Sequence, residues 1–169
     1  MGAKSSVAAG GFQAPTPTKS VLASAAGMKS AGGVGVATGA PKPPTATPAP
    51  LWGAVYTGGN PPGTLKVGQV VTVQVTVQNT SSQTWTSALN FHLGLHWLRG
   101  GAQIVRDGDR TFLPGPVAPG ATVNLSAKVT APPTAGASTL QWDMVQENVT
   151  WFSDKGVPMS APKSVNVTP

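Results

Sequence analysis

The stretch Thr139–Phe152, TLQWDMVQENVTWF, constrains this chain more than any other. Leu140, Trp142 and Met144 fall on one face of an extended segment, and Gln141 and Asp143 fall on the other. Glu147-Asn148 reads as a turn, and Val149 to Phe152 as a returning strand. A hairpin carrying two tryptophans must be covered by other apolar surface. The fold therefore has to bring further strands over it.

Those strands are legible. Val70–Asn79, VVTVQVTVQN, alternates valine with polar residues, so Val71, Val73, Val75 and Val77 share a face. Asn90–Leu98 places Phe91, Leu93, Leu95 and Trp97 inward, with His92, Gly94 and His96 outward. Thr122–Val129 does the same with Val123, Leu125, Ala127 and Val129, and Lys163–Thr168 with Val165 and Val167. Weaker strands are expected at Trp52–Thr57 and Ala102–Arg106. Turn signals separate them: Asn60-Pro61-Pro62-Gly63, Arg99-Gly100-Gly101, Asp107-Gly108-Asp109, Pro119-Gly120 and Pro132-Pro133. About seven half-buried strands at roughly 10–20-residue spacing predict an all-β, immunoglobulin-like antiparallel sandwich over residues 51–169.

The chain has no cysteine. No disulfide joins the sheets, so the aromatic rings must fill the space between them. Each large ring buries about 150–250 Å², which at about 25 cal/mol/Å² contributes several kcal/mol before entropy. Trp97, Trp142 and Trp151 are expected in this core with Val73, Val75, Leu93 and Leu125. Trp52, Trp85 and Phe152 are less constrained by the alternation. They are candidates for a surface aromatic platform.

Residues 1–50 are written in a different grammar. They hold 12 Ala, 8 Gly and 7 Pro but no Trp, Tyr or acid, so they cannot bury enough apolar surface to offset their ordering entropy. A short helix over Ser20–Ser30 is weakened by Gly27 and stopped by the Gly-Gly-Val-Gly-Val run, which reads as compositional bias. Ala40–Pro50 reads as a polyproline-like spacer. An extended arm preceding a compact domain is expected. Its four lysines stand ten or more residues apart, unlike the clustered cations of a nucleic-acid arm. Nucleic acid is therefore a disfavoured partner. No apolar run spans a membrane, and no secretory core is present. Met1-Gly2 through Ser6 loosely fits a myristoylation pattern, a short and common one. The sequons at Asn79, Asn124, Asn148 and Asn166 bear only on a secretory route.

Residues with catalytic chemistry are sparse. Asp107-Gly108-Asp109 offers two carboxylates where a calcium loop needs more oxygens, so a turn is expected. His92 and His96 lie about 13 Å apart along one strand face, too far to share a zinc ion, and are expected at the surface. Asp143 is expected to form an outer-face bridge to Arg110 or Arg106. No nucleophile elbow or phosphate loop is present. The reading is a non-enzyme with no cofactor and no metal.

The order VTVQVTVQNTSSQTW, NFHLGLHW, DRTFLPGPVAPGATVNLSAKVTAPPTAGASTLQWDMV and VTWF resembles the four-tryptophan, immunoglobulin-like domain of Next-to-BRCA1 autophagy receptors and its bacterial versions. The resemblance covers residues 65–168. Its four tryptophans match Trp85, Trp97, Trp142 and Trp151, with Trp52 additional. It departs at Gly136-Ala137-Ser138, where an aromatic often follows the glycine. It implies a β-sandwich used for binding or assembly.

The combined expectation is a structural or interaction protein of a large assembly. The best-fitting case is a phage virion accessory protein, either a capsid decoration (cement) protein or a head or tail fibre component. The arm would anchor to neighbouring subunits such as a major capsid protein, and the sandwich would project or cap. Self-association into a homo-oligomer is expected, with a cytoplasmic or cell-surface assembly as the other setting. The competing expectation is a carbohydrate- or peptide-binding module on a flexible linker, with a glycan stacked on exposed rings.

Overall fold

A computed structural model describes residues 47–169. The extended arm expected over residues 1–50, with its short helix and most of its spacer, lies outside the described residues except for 47–50, which are exposed and without regular structure.

Ten strands follow: β1 (Ala54–Gly58), β2 (Thr64–Lys66), β3 (Val70–Asn79), β4 (Phe91–Arg99), β5 (Ala102–Val105), β6 (Thr111–Phe112), β7 (Thr122–Thr130), β8 (Gly136–Gln146), β9 (Thr150–Trp151) and β10 (Lys163–Thr168). One sheet runs β1-β3-β7. The other runs β2-β10-β8-β4-β5, with β6 paired to β4 and β9 to β8. The chain is all-β and immunoglobulin-like, as the alternation predicts. One pair departs from the antiparallel pattern: β2 lies parallel to β10, Leu65 opposite Val167. β2 and β6 escape sequence reading because two or three residues are too few to show a period.

The long strands form where β-branched residues alternate with polar ones. Val73, Val75 and Val77 of β3 face Leu125, Ala127 and Val129 of β7 on the inner side of the small sheet, and all six are buried. The outer side of that sheet is a polar carpet, with Gln74 donating to Ser126 and Thr76 to Asn124. Between β4 and β5 the two-residue loop Gly100-Gly101 has φ of 56° and 84°. Both values are positive, the condition for a type I′ hairpin turn, and glycine meets it without strain.

The core lies between the sheets. Trp85, Trp97, Trp142, Phe91, Leu93, Leu95, Leu140, Met144 and Phe152 are essentially inaccessible to solvent. A buried indole N–H needs an acceptor, and Trp85, Trp97 and Trp142, the three least exposed of the tryptophans, each find one. Trp97 of β4 donates to the Thr130 carbonyl of β7, and Trp142 of β8 donates to the Gly59 carbonyl just past β1. These two bonds run from one sheet to the other. Trp85 donates to the Ser81 hydroxyl. That hydroxyl donates to Asn79 Oδ1, while Asn79 Nδ2 donates to the Gln83 and Val117 carbonyls. The Asn-Thr to Thr-Trp segment is thus closed by its own buried hydrogen bonds.

Trp142→Phe should keep most of the ring packing while leaving the Gly59 carbonyl without its donor. The expected loss of stability is about 1–3 kcal/mol for the orphaned group alone, plus a cavity contribution. Urea unfolding of the two proteins measures it.

Candidate functional site

The face of the large sheet that points away from the core is covered. β9 extends that sheet along the β8 edge, and its Trp151 side chain lies across to Gly94 of β4, where an added Cβ would stand 2.6 Å from the indole. His96 and Asp143 therefore point outward from the sheet, as their register requires, yet both are buried. His96 Nδ1 donates to the Arg106 carbonyl, and Nε2 meets Asp143 Oδ2 at 3.4 Å. Asp143 also accepts from the Ser153 N–H and the Tyr56 hydroxyl, at 3.2 and 3.3 Å. The Tyr56 oxygen in turn accepts the Met144 N–H at 2.8 Å. Burial raises the Tyr56 phenol well above its ordinary pKa, and the nearby Asp143 charge adds to the shift.

Three expectations are corrected here. His92 and His96 are not surface residues, because the Phe112 ring packs on His92 and the Trp151 ring on His96. Asp143 does not bridge to Arg106 or Arg110. Arg106 pairs with Asp154 at 2.7 Å, and Arg110 pairs with Glu147 and Asp107 while its guanidinium lies 4.4 Å from the Trp151 ring centroid. The proposed aromatic platform does not form. Trp85 and Phe152 are both 0% exposed, with Phe152 held between Trp85 at 5.6 Å and Trp52 at 5.2 Å. The returning strand brings Phe152 under the sandwich, where only apolar surface surrounds it. Of the three candidates, Trp52 alone keeps an accessible edge. Trp97, Trp142, Trp151, Val73, Val75, Leu93 and Leu125 are all buried.

The two carboxylates of Asp107-Gly108-Asp109 serve different partners. Asp107 meets Arg110 at 3.2 Å. Asp109 accepts the Thr130 N–H at 2.6 Å and meets Lys128 Nζ at 3.1 Å. Burial opposes ionisation of Asp109, but these bonds and the lysine outweigh it and hold the carboxyl below its ordinary pKa. Among the described residues no group of three His, Asp or Glu side chains is placed to hold a metal ion. Among them also no helix is long and apolar enough to cross a membrane.

A groove of about 570 Å³ lies between β1 and the segment Lys155–Ala161. β10 leaves β8 after Leu140, and the next part of that β8 edge is met by Ser160, whose N–H donates to the Trp142 carbonyl. The irregular, proline-containing segment so held stands opposite β1. Trp52 and Tyr56 line the groove, with Val157 and Met159 across from them. Sequence reading had singled out Trp52 but missed the groove, because its walls lie about a hundred residues apart and 155–161 shows no period.

The model of the Ig-like domain from next to BRCA1 gene matches residues 62–156, more than half of the chain. The chain belongs to this family. The family match begins after β1 and ends before Val157, so most of the groove is built from residues beyond it. Among solved structures, the sporulation control protein Spo0M of Bacillus subtilis is similar over 70% of this chain and 50% of that one. The identity is 13% and the TM-score 0.38. The chain therefore spans half the length of that structure. No curated protein matches the sequence.

Two outcomes test this geometry. Tyr56→Phe removes the hydroxyl that serves Asp143 and the Met144 N–H. It should cost about 1–3 kcal/mol in urea unfolding. His92 supplies a pH dependence. Burial lowers its pKa, the Arg110 charge acts in the same direction, and Glu147 at 3.9 Å opposes them. The unfolded chain then binds this proton more readily than the folded one. Stability should fall as pH drops through about 6.5 toward the lower folded value, then level off. His92→Gln should flatten that part of the stability–pH profile.

Proposed function

We propose that the chain is a non-enzymatic interaction component of a large protein assembly. The groove beside β1 carries this reading. It is open, it is lined by aromatic and aliphatic side chains, and a strand edge runs along it. The groups with catalytic potential are engaged elsewhere: His96, Asp143 and Tyr56 hold one another and the backbone beneath the surface, and Arg110 is spread over Trp151 and two carboxylates. Such a domain supports binding more readily than bond-making. Membership of the Ig-like family fits the same use.

The assembly that suits the chain best is a phage particle, with this protein as a capsid decoration or a head or tail fibre component. The Ala/Gly/Pro-rich composition of residues 1–50, joined to a cysteine-free sandwich, supports that setting. A segment ordered only on binding covers much surface at modest affinity per area, and many copies add avidity. Burial of Trp85 and Phe152 removes two of the three rings on which a glycan-stacking reading rested.

Limited proteolysis of the full chain tests the proposal. Alone, it should be cut within residues 1–50 while 51–169 resists. Mixed with a purified phage shell protein, the arm should become resistant. An arm already resistant in the isolated chain overturns the reading.

A further inference from the structure

β1 is the outer strand of its sheet and pairs with β3 alone. The Gly53 carbonyl accepts the Thr80 N–H, and the Gly59 N–H donates to the Gln74 carbonyl. Antiparallel pairing alternates along a strand, so the odd-numbered residues bond to β3. The N–H and C=O groups of Ala54, Tyr56 and Gly58 face the other way, and among the described residues no strand takes them. Ala54 and Tyr56 line the groove.

An edge of this kind is a template for another strand. Proteins usually blunt such edges with charge or proline, and β1, Ala-Val-Tyr-Thr-Gly, has neither. The groove next to it offers apolar contact through Trp52, Val157 and Met159. At its rim, Lys155 is exposed. It is the only charged residue among those lining the groove. Among the described residues Lys155 has no ion-pair partner. Charge complementarity therefore selects an acidic side chain in whatever lies in the groove.

We propose that the groove is a strand-addition site for an extended, acidic segment of another protein. That segment pairs its backbone with Ala54, Tyr56 and Gly58, sets small apolar side chains against Trp52 and Met159, and places a carboxylate at Lys155. The proposal rests on the interaction reading above and names the chemistry of the partner.

The probe is an N-acetylated heptapeptide of alternating valine and threonine with aspartate at one end, added to the full chain labelled with ¹⁵N. Binding should shift the Ala54, Tyr56 and Gly58 amides. Lysine in place of the aspartate should weaken binding about five- to tenfold. Methylating one alternate set of peptide amides should abolish binding, and methylating the other set should leave it unchanged, because only one set faces β1. Lys155→Glu, a surface change that should not disturb folding, should reverse the preference between the aspartate and lysine peptides. Four outcomes overturn the proposal: no shift at β1 up to about millimolar peptide, equal binding by both methylated sets, no charge reversal by Lys155→Glu, or glycan binding lost in Trp52→Ala with β1 silent to every peptide. Arm protection by shell protein with no peptide response would remove the strand-addition site alone. Arm resistance in the isolated chain would remove the assembly reading instead.

Discussion

Two indole N–H groups hold the sandwich in register. Trp97 and Trp142 stand on adjacent strands of the large sheet, and each donates across the core to a backbone carbonyl of the small one, at Thr130 and beyond β1 at Gly59. A disulfide would constrain the unfolded chain. These bonds act differently. They make any sliding of one sheet over the other leave a buried donor and a buried carbonyl unpaired, which costs about 1–3 kcal/mol for each group. Ring burial provides the non-directional attraction, and the N–H groups make it specific. β1 is placed by its pairing with β3, and the Trp142 bond ties the residue just past it to the large sheet.

A second layer of order lies on the far side of the large sheet. The Trp151 side chain reaches from β9 across to Gly94 and His96 and turns what alternation marks as a solvent face into a second interior. The residues there are polar, and their burial is supported by mutual bonds: His96 between Arg106 and Asp143, Asp143 with Ser153 and Tyr56. Removing one member of such a set leaves the others exposed to a low dielectric without a partner. Tyr56 links this layer to the small sheet, since its hydroxyl reaches the β8 backbone from β1. The groove floor is therefore tied at both ends, by Tyr56 to β8 and by Trp52 to Phe152 and Phe91.

Family membership and site location divide the molecule in a useful way. Residues 62–156 carry the family match and most of the tryptophan core. The strand before them and the segment after them close the sandwich on one flank and form the groove. The scaffold is thus shared with a family, and most of the groove lies outside the matched residues. A groove with one backbone wall and one side-chain wall is suited to an extended ligand, since a strand satisfies the first and fills the second.

Sequence alone determined the long strands. β3 and β10 run over the residues that alternation marks, and the glycine, proline and asparagine turns fall between strands, because period and turn chemistry are local properties of a few consecutive residues. It also determined which face each side chain takes. It did not determine what lies over that face. His92, His96 and Asp143 have the orientation their positions imply, but the Phe112 and Trp151 rings and the turn after β9 cover them. Trp85 and Phe152 are buried because distant segments close around them. The groove exists because residues 54–56 and 157–161 meet across the flank. Burial and cavities depend on contacts between segments far apart in the chain, so only the tertiary structure decided them.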